Sequence, residues 1–222
     1  MISFTEIEAA ARTHHPDLDA RLAAHAPPRT AAELAAMPDD RWLSLMTRSV
    51  FQAGFVWKVI EAKWDGFEAA FDGFEPARVS FYSDEDVERL LRDERIVRNG
   101  QKIMATIANA GFVSEISTEY DGFGRFLSQW PASDQAGLLE VFKKRGSRLA
   151  GMTGQYVLRF GGWDAWILSK DVAAALIRAG IVDKTPSSKT ALARVQAAIT
   201  HWREETGRSQ TEISRILAMS VG

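Results

Sequence analysis

Two stretches and one carboxylate have residue types and spacing that could do chemistry. The stretch Phe51-Gln52-Ala53-Gly54-Phe55-Val56-Trp57 sets aromatic rings beside an amide. An aromatic face with a hydrogen-bonding edge could hold a flat heterocycle. At helical spacing, with Trp64 following, the same rings read equally as core. The second stretch runs Lys143-Lys144-Arg145-Gly146-Ser147-Arg148-Leu149-Ala150-Gly151-Met152-Thr153-Gly154-Gln155-Tyr156, with Leu-x-Gly-x-x-Gly at its centre. Glycine reaches positive φ without steric cost and lets another backbone come close. Free amides at the start of the following helix attract an anion, so such a turn could hold a phosphate with main-chain groups alone. The plain alternative is a common helix connection, with its cations a solvated helix end. The carboxylate is Asp171, in Ala165-Trp166-Ile167-Leu168-Ser169-Lys170-Asp171-Val172. It reads as an acid in the first turn of a helix, where the dipole favours it.

Other chemistries find little support. There are no cysteines among the 222 residues, which rules out disulfides and thiolate-bound metal. His14-His15 reads as a solvated helix face. Neither a nucleotide-cradling loop nor a paired-carboxylate signature is present. A net charge of −2 does not point to nucleic acid, but a local basic patch would suffice for it. Met1-Ile2-Ser3-Phe4-Thr5-Glu6 has neither a basic start nor a long apolar run, so no leader is expected. No apolar stretch is long enough to span a bilayer, and the expectation is a cytoplasmic protein with no membrane contact.

Helices must position these groups. Ser3-x-x-Glu6, Thr30-x-x-Glu33 and Ser209-x-x-Glu212 fit the capping box, and Ser83 before Asp84-Glu85-Asp86 is a similar start. Apolar residues recur at helical spacing in Val87, Leu90 and Leu91, in Ile103, Ile107 and Ala110, in Leu138, Leu139 and Phe142, and in Ile213, Ile216 and Leu217. Pro27-Pro28, Pro38, Pro76, Pro131 and Pro186 fall at junctions. No sustained alternation marks a strand. At 46% hydrophobic and 25% charged residues the chain can bury a core. The expectation is an all-α protein of roughly ten or more short helices. Residues 1–38 read as an Ala-rich N-terminal helical extension, and 39–222 as the main domain.

The Phe51–Trp57 stretch is followed by Phe71-Asp72-Gly73-Phe74-Glu75-Pro76, then Ile96-Val97-Arg98, then Lys102-Ile103 and Ala108-Asn109-Ala110, then the Lys143–Tyr156 turn. In this order and spacing the segments resemble the DNA-3-methyladenine glycosylase I family of base-excision repair, over roughly Trp42 to Asp171. The resemblance implies a two-lobed helix-hairpin-helix fold and hydrolytic excision of alkylated purines, such as 3-methyladenine, from duplex DNA. It implies a base pocket at Trp57, Ser49, Phe51 and Gln52, with Trp57 stacking on a base flipped out of the duplex. Gly151, Met152, Thr153 and Gly154 would hold the DNA backbone, with Lys143, Lys144, Arg145, Arg148 and Lys170 adding attraction. No cofactor is implied, and a monomer is expected.

The chain departs from the family pattern in three places. The family's pocket glutamate falls on Ser49, whose short hydroxyl lacks a carboxylate's acceptor strength. The family's two N-terminal pocket tyrosines have no counterpart. Two of its zinc ligands fall on Asp171 and Ala175, and the N-terminal pair is missing, so no metal is expected. In the wider hairpin superfamily a catalytic aspartate stabilises the oxocarbenium-like state. Alignment puts Ser169 at that position, which leaves Asp171 as the catalytic candidate beside its dipole reading. The alternatives are a non-catalytic DNA-binding helix-hairpin-helix protein, or a glycosylase of different base specificity.

Overall fold

In this computed structural model, residues 3–221 are described. Met1 and Ile2, part of the stretch read against a leader, lie outside the described residues. Every regular element among the described residues is helical. The α-helices are α1 (Phe4–His14), α2 (Leu18–Ala23), α3 (Ala31–Ala35), α4 (Asp39–Gln52), α5 (Trp57–Ala62), α6 (Trp64–Ala70), α7 (Pro76–Val79) and α8 (Asp84–Arg92). They continue with α9 (Gly100–Tyr120), α10 (Phe123–Gln129), α11 (Gln135–Arg145), α12 (Met152–Phe160), α13 (Lys170–Arg178), α14 (Lys189–Thr206) and α15 (Gln210–Met219). The fold is all-α.

Local sequence explains most starts. The Ser3, Thr30 and Ser209 boxes all close: Thr30 N donates to Glu33 Oε2 at 2.7 Å and Glu33 N donates to Thr30 Oγ1 at 3.2 Å. At α8, Ser83 N donates to Asp86 Oδ2 at 3.0 Å. Pro38 precedes α4 and Pro76 opens α7, where a missing N–H costs no helix bond. Asn99 caps α9 through a bond from Lys102 N at 3.1 Å, a start the hydroxyl patterns do not mark. On α8, Leu90 is buried but Leu91 is exposed, so only one of the adjacent pair faces the core.

The chain forms two compact units. One comprises 1–29, 131–138 and 162–222, the other 30–130 and 139–161, so α11 contributes to both. The stretch 1–38 is therefore divided between them. In the first unit, α1, α13 and α14 pack on α15. Buried glutamines tie it together: Gln135 and the main chain of Trp166 exchange two bonds of 2.8 Å, and Gln196 Oε1 accepts from Trp166 Nε1 at 3.0 Å. Satisfied from several sides, such amides specify one packing.

In the second unit α9 is the spine, with α4, α7 and α10 against it. Phe112, Phe123 and Phe142 form an aromatic core around it. Arg41 makes a two-pronged pair with Glu68, 2.9 Å on each arm, fixing α4 to α6. Helix α12 packs on α4, which brings the two chemical stretches of the sequence together.

Candidate functional site

The helix carrying Gln52 ends there, and Gly54, at φ +76°, turns the chain so that a new helix starts at Trp57. This break resets the helical phase. Phe51 stays in the core, fully buried with its ring 4.7 Å from Phe67, edge to face, and does not reach the cavity described next. Trp57 is 41% exposed and lines a cavity of about 360 Å³. Its ring meets Tyr156 at 5.2 Å and Phe160 at 6.0 Å, edge to face with both.

Ser49 and Gln52, from the last turn of α4, line the same cavity, as do Met152, Thr153 and Tyr156 from α12. Ser49 and Gln52 are almost wholly buried, and Ser49 Oγ and Gln52 Oε1 have no hydrogen-bond partner. A buried polar atom without a partner costs free energy, so these two oxygens are strained points beneath the cavity wall. The Gln52 amide nitrogen is already used, donating to Glu61 Oε1 at 2.7 Å. Glu61 in turn lies 3.7 Å from Arg48. Among the described residues no carboxylate side chain lines the cavity. Its lining is an aromatic wall, Phe55, Trp57 and Tyr156, with the polar residues Ser49, Gln52 and Thr153 beside it.

Behind the cavity lip stands Lys102. Its Nζ donates to the carbonyl oxygens of Phe51 at 3.0 Å and Ala53 at 2.6 Å and lies 4.3 Å from the centre of the Phe55 ring. Burial, with the charge of Arg148 second, brings the amine down to about 8. The lysine ties the end of α4 and the loop after it to α9.

The hairpin turn joins α11 to α12. Gly151 sits at φ +63°, ψ −135°, a region that side chains do not tolerate. Gly154 allows close approach: a Cβ there would lie 2.4 Å from the carbonyl oxygen of Leu149. Lys143 and Lys144 are exposed. Arg148 also adopts positive φ, 58°, and its guanidinium bonds Gln101. Arg145 differs from its neighbours. It gives bonds of 3.0 and 2.6 Å to Glu119 and 3.2 Å to Glu115, which raise its pKa above the ordinary value. Its guanidinium holds α11 to α9.

Asp171 and Lys170 belong to the other unit, both exposed in the first turn of α13. Ser169 caps that helix, accepting from Val172 N at 3.2 Å. Asp171 thus occupies the place its dipole reading assigned. Among the described residues no group of three histidine, aspartate or glutamate side chains stands together as a metal site.

Sequence reasoning missed Tyr156, Glu61, Lys102 and Asn109 as parts of the site. Tyr156, Lys102 and Asn109 stand within the matched segments, which was the available signal. Glu61 carried none.

Residues 35–156 match the family model described as methyladenine glycosylase. The chain is 32% identical to DNA-3-methyladenine glycosylase 1 of Escherichia coli (strain K12), over 46% of this chain and 64% of that protein. It thus spans under two thirds of that relative's length. Among solved structures it is similar to a 3-methyladenine DNA glycosylase I with TM-score 0.50 and 26% identity, over 62% of this chain and 81% of that one. The enzyme of the same name from Staphylococcus aureus, determined for its recognition of 3-methyladenine, shares the fold with TM-score 0.51 and 24% identity, over 57% of this chain and 77% of that one.

Proposed function

The chain belongs to the methyladenine glycosylase family, and from that premise we propose that it hydrolyses the N-glycosidic bond of alkylated purines, such as 3-methyladenine, in duplex DNA. The observation that carries this reading is Trp57, 41% exposed on the wall of a cavity that Ser49, Gln52 and Thr153 also line. A core tryptophan would be closed off. An exposed one beside hydrogen-bonding groups suits a base extruded from the stack.

Trp57 stacks on the base, with Gln52 and Ser49 on its edge. The Gly151–Gly154 turn holds the DNA backbone through main-chain amides, and Met152 and Thr153 lie where hairpin and cavity meet. Lys143, Lys144 and Arg148 supply the local positive field that net charge does not. Lys170 is a further exposed cation, at the start of α13. The bond between C1′ and the purine nitrogen breaks with its electron pair leaving on the base. Water supplies the hydroxyl to C1′ and its proton is released. An alkylated purine bears positive charge and leaves as a neutral base, so the reaction needs less help than excision of a normal base. This accords with a cavity lacking a carboxylate.

The same lack favours a second reading, a glycosylase of different base specificity. Ser49 stands on the cavity lining where the family has a glutamate.

The test is incubation of the full chain with methylated duplex DNA, with released bases separated by chromatography. Release of 3-methyladenine, reduced in Trp57→Ala, is the expected result. Release of another alkylated base in its place would favour the second reading. Duplex binding without any base release would instead assign a non-catalytic DNA-binding protein.

A further inference from the structure

We propose that Arg215 is the recognition group of a second ligand site, built within the unit of 1–29, 131–138 and 162–222, and that this site takes an organic monocarboxylate with an apolar body. The inference is independent of base excision. Arg215 stands on α15 and lines two cavities, one of about 620 Å³ and one of about 330 Å³. Every residue of both linings belongs to that unit, and both volumes suit a small molecule. Among the described residues the Arg215 side chain has neither a hydrogen bond nor an ion pair. Its Nε is closed off without a partner, whereas its two terminal nitrogens are not closed off in this way and the side chain is half-buried. A guanidinium keeps its charge in a protein. Burial alone draws this one below its ordinary pKa.

The acids and other arginines of the two linings are already engaged. Asp19 accepts from Arg12 at 2.8 and 2.9 Å. Arg208 donates to Glu8 at 3.0 and 3.2 Å. Glu212 Oε2 accepts from the Ser209 amide and hydroxyl, each at 3.0 Å. Arg21, on the smaller cavity, donates to Asp17 at 2.8 Å. Arg215 is thus left as a partly desolvated cation with no counter-charge, a costly state that a ligand anion relieves. The guanidinium fork matches the two oxygens of a carboxylate. Asp19 and Glu212 on the larger lining disfavour a doubly charged phosphate, since like charges repel. Ala24, Ala218 and Met219 line the smaller cavity and give the apolar body its wall.

The experiment titrates the full chain with hexanoate, hexanol and inorganic phosphate, followed by amide NMR spectra. The expected result is saturable binding of hexanoate at least about tenfold tighter than that of hexanol, with shifts at the amides of Ala24, Ala218 and Met219. Arg215→Met keeps much of the side chain's length and loses its charge. Its hexanoate affinity should fall at least about tenfold, to that of hexanol. Its denaturant midpoint should equal or exceed that of wild type, because an unpaired charge has been removed. Arg215→Lys keeps the charge without the fork, and its affinity should fall between the two. A lower midpoint in Arg215→Met would show that the side chain already has a partner in the protein and overturns the premise. Equal affinity for hexanoate and hexanol, or unchanged hexanoate binding in Arg215→Met, overturns the role of Arg215. Phosphate bound more tightly than hexanoate overturns the carboxylate class. Absence of saturable hexanoate binding overturns the site altogether.

Discussion

Asn109 holds the main chain of Ser147 from both sides: its Nδ2 donates to the Ser147 carbonyl at 3.1 Å and its Oδ1 accepts from Ser147 N at 2.7 Å. One amide from α9 thereby replaces the secondary-structure partners that the turn between α11 and α12 lacks. Asn109→Leu keeps the volume but leaves both main-chain groups unpaired. It should cost about 1–3 kcal/mol, read as a lower denaturant midpoint. Duplex affinity should fall as well, since the glycine turn begins at the next few residues. A variant of unchanged stability would mean that water replaces the amide.

The cations of the hairpin should separate into two kinds. Lys143 and Lys144 are exposed, whereas Arg145 is bound to Glu115 and Glu119. Each lysine that meets a phosphate releases counterions. Lys143→Gln and Lys144→Gln should therefore each weaken duplex binding regardless of sequence and lower the salt slope by about 1. Arg145→Gln should leave the slope alone and instead reduce stability slightly, as expected for a partly exposed pair. Anisotropy titrations over a salt series give all three slopes. An Arg145 slope change equal to that of the lysines would return it to the DNA-binding group.

How much of this was legible follows from particular residues. The capping hydroxyls, the Gly151–Gly154 turn and the segment ending in Trp57 could be read directly, because each is a local pattern with a local cause. Phe51 and Trp57 could not be told apart by helical spacing, because the helix breaks between them at Gly54 and the phase restarts. Arg145 looks like Lys143 and Lys144 in sequence. Only the seating of α11 beside the acids of α9 distinguishes it. Asn109 and Ser147 are 38 residues apart, and nothing near either names the other. Polar contacts between distant segments are decided by tertiary packing, so the positioning groups of the site emerge last.

Lys102 should make stability depend on pH in the alkaline range. Its amine titrates near 8 in the folded chain against an ordinary 10.5. Below about 8 both states carry the proton, and this group contributes no slope. Between about 8 and 10.5 the unfolded chain binds more proton than the folded one, so stability rises with pH through this group. Lys102→Met removes that rise. It also strips the Phe51 and Ala53 carbonyls of their donor, at a cost of about 1–3 kcal/mol at neutral pH. Denaturant midpoints of both proteins at pH 7, 8, 9 and 10 supply the check. The advantage of wild type over the variant should widen from pH 8 upward, and a constant gap would show an amine with its ordinary pKa.

Trp57 and Asp171 should differ sharply in their importance to turnover. Trp57 is exposed on the cavity wall, while Asp171 is exposed in the first turn of a capped helix. Aromatic stacking on a base is worth about 1–3 kcal/mol. At about 1.4 kcal/mol per factor of ten, Trp57→Ala should slow base release roughly tenfold to over a hundredfold if the stacking is realised in the transition state. Asp171→Asn gives up a favourable charge near the helix dipole, about 0.3–1 kcal/mol of stability at most, and should leave the rate nearly unchanged. A cationic base departs as a neutral molecule, so the sugar's developing charge is partly offset by charge lost from the base, and a dedicated carboxylate gains less. Single-turnover release of 3-methyladenine from methylated duplex by the two variants decides the matter. The opposite ranking, with Asp171→Asn inactive and Trp57→Ala fully active, would make Asp171 the carboxylate that stabilises the oxocarbenium-like state.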